Sequence, residues 1–480
     1  MIDLNFGTVS GLPELETQKL HELTYVFNMH RSKNEEKERY YEGHVPLTDV
    51  NIGIALPKHF NKLNVSCSWG AKTVDVLASR SMFDGFVSNS GAAAETATRI
   101  TERNNLLSQY SKACRDELLY GCTFATLSED ERGARIRFHS PQSAAALWDG
   151  EKGRIECGLA VIDTVYDEVQ INWQPTLVYL YTEAGTWVIS REKNDYIWNA
   201  HVIPHGYGVP LMVPLVWNAT SAKPFGRSRI KQPIRDLIDG YIRTMADAAV
   251  GLEFATSPQK YLLGVTDDQY DAVTSDKFKQ YVGNILVATP NPDTGSNPSF
   301  GQLAQGNIEP HIQMLRALAT QFSAATGLSI TDTGVINDAN PSSSDAILAQ
   351  TQTLTLLAEQ LNRGNTDALY KIMTLATAIE NHKSVEDIKD DDKDIVAHFK
   401  NPAMPSISAT ADASIKLASV DEAFAQTSVF YEMNGFDQAD IRRIKGAEAR
   451  ARGLNVIQEL ENGDNEEPVA QVRTEDEQNQ

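Results

Sequence analysis

The chain has 480 residues, of which 41% are hydrophobic and 22% charged, a composition that is ordinary for a globular protein. Its 64 acidic side chains outnumber 43 basic ones, which gives a formal net charge of −21. Such a net charge repels DNA, so any contact with DNA is expected to let it slide rather than to bind it tightly. The simpler interpretation of the negative charge is that it keeps the protein soluble. No stretch approaches the roughly 18 apolar residues of a membrane-spanning helix, and no secretory signal is visible, which argues against a membrane partner and predicts synthesis in the cytoplasm.

The N-terminal half combines helices with a region of strands. Residues 12–42 predict a charged helix, a second helix is predicted from Ala71 to about 84, and a third from about 93 to 119. From Gly121 to Trp217 the hydrophobic period changes towards two, which indicates strands joined by short turns. The predicted strands are 135–139, 158–162, 176–181 and 186–190.

Two predicted helices then flank a small β-rich segment. The first carries one apolar stripe that includes Ile230, Ile234 and Ile238, and the second ends at Gly327. Residues 256–307 between them contain short predicted strands at Tyr261–Val265 and Ile285–Ala288. The pattern predicts a stalk that leaves the body and returns, and a stripe that must pack against neighbouring copies.

The last third begins with a long polar loop, residues 328–344, which is predicted to be functional because of its length. A capping box of Ser342 and Asp345 opens a long helix, predicted to run to His382. A sheet-like return at Ile407, Ala411 and Ile415 is predicted to precede further helix, and the chain ends in an acidic tail that is predicted to be disordered.

Catalytic signatures are missing from the sequence. It has no GxxxxGK[ST], GxGxxG, HExxH or GxSxG motif. The four cysteines are scattered and read as reduced thiols, and the acidic run 386–394 lacks the glycine and final glutamate of a calcium loop. We therefore predict a protein that is not an enzyme and that has no cofactor and no metal site.

Short motifs in a fixed order over some 400 residues carry a resemblance to a known family. They are Tyr40-Tyr-Glu-Gly43, Asn64, Val74 with Leu77, Gly85-Phe86, Asn104-Asn-Leu106, Leu119-Tyr-Gly-Cys-Thr-Phe124, Ser140-Pro141, Leu147-Trp-Asp149, Gly208-Val-Pro210, Val213-Pro-Leu-Val216, Asn218, Gly226-Arg-Ser228, Ile234, Leu237-Ile238, Leu315, Leu318, Thr326-Gly-Leu328 and Ser343-Ser-Asp-Ala346. In these positions the sequence resembles the portal proteins of tailed, long-tailed (siphovirus-type) bacteriophages. Ser329 departs from the family, where proline is frequent.

The resemblance implies an α+β portal fold that assembles into a ring, usually of twelve subunits, at one vertex of a viral capsid. It implies a wing, a stem of two helices, a small clip, a tunnel loop and a helical crown. The corresponding segments are 1–225 for the N-terminal helices and wing, 226–255 and 308–327 for the stem, 256–307 for the clip, 328–344 for the tunnel loop, 345–419 for the long wing helix and wing return, 420–461 for the crown and 462–480 for the acidic tail.

The resemblance also implies sites and partners. The DNA-facing residues of the tunnel loop would be Ser329, Thr331, Asp332, Thr333, Asn337, Asp338 and Asn340, and the docking residues of the clip would be Pro290, Asn291, Pro292 and Asp293. The implied function is a channel for packaging and ejecting double-stranded DNA. The implied partners are further copies of the chain as a dodecamer, the terminase large subunit, a head-completion or adaptor protein, and the major capsid and scaffolding proteins, with the virion as final location.

Two other functions fit the same residues. One is another head–tail connector or capsid-associated structural protein, which would lack the stalk; the outline of the particle separates it from a portal. The other is a Mg²⁺-dependent nucleic-acid enzyme, since carboxylate sites are assembled in space; incubation with DNA, Mg²⁺ and ATP would reveal it.

Overall fold

A computed structural model describes residues 2, 4–45, 65–167, 172–192, 197–256, 260–263, 295, 297, 299–302, 307–334, 344–388, 394–403 and 407–463. The chain divides into two compact units, Met1–Pro402 and Ala403–Gln480. The first unit contains the predicted wing, stem and clip. The second contains the predicted crown.

Most strands of the first unit belong to two antiparallel sheets. A six-stranded sheet has the order β1-β9-β8-β7-β6-β5, in which only the short β1 is parallel to its neighbour, and a three-stranded sheet has the order β10-β3-β4. The strands are β1 (Val9–Ser10), β3 (Cys122–Asp130), β4 (Gly133–His139), β5 (Ala144–Asp149), β6 (Arg154–Asp167), β7 (Asn172–Tyr181), β8 (Gly185–Ser190), β9 (Trp198–Pro204) and β10 (Met212–Val216).

Two small sheets join distant parts of the first unit. Strand β2 (Phe83–Val87) pairs with β13 (Val396–Phe399), and β11 (Lys260–Leu263) pairs with β12 (Ser299–Gln302); both pairs are antiparallel. The helices of this unit are α1 (Glu14–Glu42), α2 (Trp69–Ala78), α3 (Gly91–Arg103), α4 (Leu106–Tyr120), α5 (Gln232–Thr256), α6 (Glu309–Thr326) and α7 (Ser344–Asn381).

The apolar residues form two cores in the first unit. The larger core packs α2, α4, α5, α6 and α7 against the three-stranded sheet. The smaller core packs α1 against the six-stranded sheet, with Leu20, Leu23 and Phe27 facing Leu159, Val178 and Leu180. Burial of these faces is the main favourable free energy of the fold.

The sequence mispredicts three boundaries in the N-terminal half. The predicted helix 93–119 is two helices, because Asn105 adopts a left-handed conformation (φ 48°) that interrupts the helical hydrogen bonds. The segment at 83–87, predicted to end a helix, is strand β2. Each predicted strand is part of a longer observed strand. The predicted strand 158–162, for example, lies within β6 (Arg154–Asp167).

A close contact between two turns joins the three-stranded sheet to the helix α5. Gly226 has a φ of +67°, and a Cβ at this position would collide with the carbonyl oxygen of Trp217 and lie 2.8 Å from that of Gly121. Only glycine fits both the backbone conformation and the space. The turn therefore fixes where α5 leaves the wing.

The second unit is helical throughout its described residues. It contains α8 (Ile407–Val420), α9 (Ser428–Met433) and α10 (Gln438–Gly463). The predicted sheet-like return at Ile407, Ala411 and Ile415 is wrong, because a spacing of four residues is the helical period and places all three on one face. The unit boundary after Pro402 also precedes the predicted start of the crown at 420.

Candidate functional site

The two segments predicted as the stem form the helices α5 and α6, which we call the stem and which run in opposite directions. Strand β11 follows α5 and pairs antiparallel with β12, which precedes α6, so the chain goes out along one helix and returns along the other. Proline at the start of α6 and Gly327 after its end bound the returning helix, as predicted. The two helices approach closely where Gly240 faces Leu318.

The apolar stripe of α5 is buried within one chain at its base, in contrast to the prediction. Ile234, Ile238 and Ile242 have exposed fractions of 5%, 1% and 0%. They are covered by α6 and by the body of the first unit, which belong to the same core. Among the stem side chains that the structure describes, the large apolar ones that remain exposed in a single chain are Leu252, Ile312 and Met314.

The segment predicted as the clip is described only in part. Strand β11 confirms a strand at the first predicted position, and β12 is a strand that the sequence did not predict. The second predicted strand, 285–288, lies outside the described residues. The predicted docking residues Pro290, Asn291, Pro292 and Asp293 also lie outside them.

An aromatic cluster lies at the root of the stem. The indole of Trp69, at the start of α2, stacks on Phe322 of α6 with ring centroids 4.5 Å apart and lies 4.7 Å from the ring of Tyr241 of α5. Such contacts add to the burial of the rings themselves. Three helices are therefore held together around one tryptophan.

The first turn of the predicted tunnel loop is folded. Ile330–Thr333 form a 3-10 turn, and the Ser329 side chain and the Asp332 side chain each accept a hydrogen bond from the backbone N–H of the other. The Asp332 carboxylate also accepts from the Ser329 hydroxyl at 2.7 Å. Reciprocal bonds of this kind satisfy donors that a short turn leaves open.

Four of the seven predicted DNA-facing residues of the loop lie among the described residues. The side chain of Thr331 is exposed, those of Ser329 and Asp332 are half-buried, and that of Thr333 is 7% exposed and donates to the Ile330 carbonyl oxygen. Thr333 therefore does not present its hydroxyl at the surface of the single chain. Asn337, Asp338 and Asn340 lie outside the described residues, as does Ser342 of the predicted capping box.

A buried arginine joins the stem to the wing. Arg229 is 8% exposed, and its guanidinium donates from Nε to the Thr73 carbonyl oxygen at 2.7 Å and from Nη2 to that of Thr326 at 2.8 Å. Burial lowers the pKa of Arg229 to about 10, so the side chain stays protonated at neutral pH. The cation lies at the carbonyl end of α6, where the helix dipole favours positive charge.

A second attachment runs from α1 to the base of α5. The Tyr40 hydroxyl donates to the Asp239 carboxylate at 2.9 Å, and Arg235 forms an ion pair with Glu36 at 2.5 Å. Burial and the bond to Asp239 raise the pKa of Tyr40 above its ordinary value. The stem therefore leaves the wing at an angle that α1 and α2 both constrain.

The core beside the stem contains a buried polar network. The Asn365 amide donates to Glu117 Oε2 and to the Tyr110 hydroxyl, each at 2.8 Å, and Tyr110 bonds Ser81 at 2.7 Å. Glu117 is fully buried, and its Oε1 has no hydrogen-bond partner within the described part of the chain. Burial raises the pKa of Glu117 to about 8. The network links α4 to α7; burial favours a neutral carboxyl group at Glu117, against the bond from Asn365, which favours the charged form.

Sequence reasoning missed Trp69, Arg229 and Glu117. Arg229 and Glu117 carried no clear signal, because each stands beside other charged residues, Arg227 and Lys231 in one case and Arg115 and Asp116 in the other. Trp69 carried none, because its partners lie more than a hundred positions away. No group of three or more His, Cys, Asp or Glu residues suited to a metal ion occurs among the residues that can be described, and no helix there is long and apolar enough to span a membrane.

Comparison with known proteins places this arrangement in a family. The family model described as phage portal protein, SPP1 Gp6-like, matches residues 20–452. The portal protein of Mycobacterium phage L5 is 24% identical over 379 residues, which cover 76% of this chain and 75% of that protein.

Among solved structures, the chain is similar to one in the virion of the native gene transfer agent particle, with a TM-score of 0.44, 12% identity, and coverage of 79% of this chain and 89% of that chain. It is also similar to a chain in the neck of the same native particle computed with C12 symmetry, with a TM-score of 0.45, 12% identity, and coverage of 78% and 89%.

The family match covers the wing, the stem and most of the crown, and it confirms the portal fold and portal function predicted from the sequence, with the virion as location. The chain belongs to the SPP1 Gp6-like family of phage portal proteins.

Proposed function

We propose that copies of this chain close into a ring of about twelve subunits at one capsid vertex, through which double-stranded DNA passes during packaging and ejection. The observation that carries the proposal is the out-and-back stem, α5 and α6, with the β11–β12 sheet at its outer end. Identical subunits joined head to tail close into a ring when the rotation between them permits it.

Exposed apolar residues on the stem support contacts between subunits. In a single chain Leu252 is 51% exposed and Met314 50% exposed. Contact with neighbouring stems would remove these side chains from water, at about 25 cal/mol for each Å² buried. The buried base of the stripe keeps each stem rigid, so that only its outer surface serves assembly.

The loop 328–344 is proposed to line the narrowest part of the channel. The hydroxyl groups of Thr331 and Ser329 are uncharged, and they can touch a phosphate backbone without holding it. A net charge of −21 per chain keeps phosphates from adhering, within a screening length of about 8 Å at physiological salt. The proposed loop also includes Asp332, Thr333, Asn337, Asp338 and Asn340.

The segment 256–307 is proposed as the clip, where a separate packaging ATPase, the terminase large subunit, docks during filling. An adaptor protein would follow at the same end, while the capsid and scaffolding proteins would contact the wing. The portal family is structural rather than enzymatic, and we propose that this chain hydrolyses no nucleotide by itself. Purified protein with DNA, Mg²⁺ and ATP should release no phosphate above a buffer blank.

Ring assembly is tested by negative-stain electron microscopy and native mass measurement of the purified protein over a range of concentrations, with and without scaffolding protein. Annular particles of one subunit number are expected. Met314→Lys should weaken the rings, whereas the control Met82→Lys, at another exposed methionine away from the stem, should leave them intact. Monomers or dimers under every condition would contradict the proposal.

A further inference from the structure

One side of helix α2 holds the first turn of the loop 328–344. Trp69 Nε1 donates to the carbonyl oxygen of Thr333 at 3.1 Å, and Lys72 Nζ donates to the carbonyl oxygen of Asp332. The two donors are three residues apart on α2 and therefore lie on the same side of the helix. Both acceptors are main-chain atoms, so the contact fixes the backbone of the turn independently of the conformations of its side chains.

The donors are themselves held in place. The Trp69 ring is buried between α5 and α6, where it stacks on Phe322 and contacts Tyr241. Its N–H therefore points at the turn from a fixed position. A hydrogen bond to a buried carbonyl costs free energy when it is lost, because that carbonyl is then left without a partner.

The residues just before the turn are also held in place. Arg229 bonds the carbonyl oxygen of Thr326, the last residue of α6, and the carbonyl oxygen of Thr73 on α2. Ser323 donates to the carbonyl oxygen of Leu328 at 2.6 Å, and Leu328 is buried. The backbone is thus attached at residues 326, 328, 332 and 333, and α2 takes part in three of the four attachments through its own atoms or through Arg229.

We propose that Trp69 and Lys72 are positioning residues of the DNA-facing loop: they fix its first turn, Ser329–Gly334, on the wing. The inference rests on the proposed function, because it takes the loop to face DNA. Without these bonds the turn would sample many orientations, and Thr331 would no longer be presented at one place in each subunit. With them, any displacement of the stem or the wing displaces the start of the loop as well.

The anchoring is tested by amide hydrogen exchange in the full-length protein. The N–H groups of Asp332 and Gly334 bond within the turn, at 3.1 Å to Ser329 and 3.2 Å to Thr331, and report whether it stays closed. Trp69→Phe keeps an aromatic ring and removes the donor, and Lys72→Met keeps the aliphatic chain and removes the charge. Each should speed exchange of these two amides by about five- to ten-fold, the effect of one lost hydrogen bond.

Two control variants remove similar groups without touching the turn. Tyr241→Phe removes a hydroxyl from a ring that packs on Trp69, and Lys112→Met removes an exposed ammonium group from α4. Both should leave exchange of the two amides unchanged. Unchanged exchange in Trp69→Phe and Lys72→Met would overturn the anchoring, and it would leave ring formation and portal function untouched.

DNA packaging separates the positioning role from the proposed function of the loop. In particles with normal rings, Trp69→Phe and Lys72→Met should slow packaging several-fold, and so should Asp338→Lys within the loop itself. Slow packaging in Asp338→Lys with normal rates in both α2 variants would overturn the positioning role alone. Normal rates in all three would overturn the DNA-facing role of the loop, and the positioning role with it.

Discussion

The guanidinium of Arg229 bonds the carbonyl oxygen of Thr326, which lies 97 positions further along the chain, at 2.8 Å. The same side chain also bonds the carbonyl oxygen of Thr73 within α2. We expect Arg229→Met to lower the free energy of unfolding by about 2–4 kcal/mol, because two hydrogen bonds from a charged donor are lost inside the core and the carbonyl of Thr326, at the end of α6, loses its side-chain donor. Urea unfolding followed by circular dichroism measures the change.

The matched control for this variant is Arg243→Met, at an exposed arginine of α5. Its unfolding free energy should stay within about 0.5 kcal/mol of the parent. Equal effects of the two substitutions would show that the Arg229 bonds contribute nothing to the junction.

Glu117→Gln should change how stability depends on pH. The pKa of Glu117 is raised from 4.5 to about 8 in the folded chain, so the folded state keeps a proton that the unfolded state releases. Stability is therefore lost as pH rises from about 4.5 to about 8, by up to about 1.4 kcal/mol for each pH unit. Glutamine cannot ionise, so the variant should be more stable than the parent at pH 8 and about equal at pH 4.5.

Thermal or urea unfolding at several pH values between 4 and 9 makes this comparison. Glu95→Gln, at an exposed glutamate of α3, serves as the control and should keep the pH dependence of the parent. A Glu117→Gln profile that runs parallel to the parent over the whole range would mean that Glu117 is ionised in the folded protein.

Asp338→Lys should make the channel adhere to DNA. One new cation per subunit, repeated around the ring, adds phosphate contacts whose strength falls with salt as counterions are released. Packaging should slow, most at low salt, while rings form normally. Asp332 is a poorer site for this test because its carboxylate caps the turn of Ser329.

The control for the charge change is Asp367→Lys, at an exposed aspartate of α7. Packaging rates in an in vitro assay over a range of salt concentrations should be those of the parent. If Asp338→Lys also packages at the parental rate at every salt concentration, the loop is a surface linker.

Deletion of Pro290–Asn297 should weaken docking of the packaging ATPase and leave the ring intact. The segment is the predicted tip of the proposed clip, and its removal would take away the predicted docking residues while keeping the sequence of α5 and α6. Co-sedimentation of rings with the ATPase measures docking, and electron microscopy checks the rings. Unchanged docking would show that the motor binds elsewhere.

The elements that were predicted well from the sequence are long helices with a regular hydrophobic period, and a glycine marks the end of some of them. The stem helices and the long helix to 382 each show a sustained apolar face, the charged helix 12–42 has its buried apolar residues in its first half, and Gly43 and Gly327 follow the ends of two of these helices. Such signals are local, so neighbouring residues suffice to read them. The family resemblance added the order of the segments.

The features that were missed depend on distant residues or on weak local signals. Trp69 and Lys72 meet the loop across 264 and 260 positions, and nothing near them in the sequence indicates that partner. The break at Asn105 depends on a left-handed backbone conformation that the pattern of apolar residues does not predict. The helix at 407–420 was mispredicted because its apolar spacing of four residues, which fits a helix, was interpreted as sheet-like.

The pairing of β2 with β13 has a consequence for how the protein is made. The Arg80 guanidinium bonds the carbonyl oxygen of Pro402 across 322 positions, and β2 pairs with a strand of similar separation. During synthesis β2 emerges early and stays an unpaired strand until Val396–Phe399 leave the ribosome. Contacts so distant in sequence form late and slow folding. An incomplete chain that stops short of β13 therefore leaves the edge of β2 unpaired, and an unpaired edge is open to pairing with another chain.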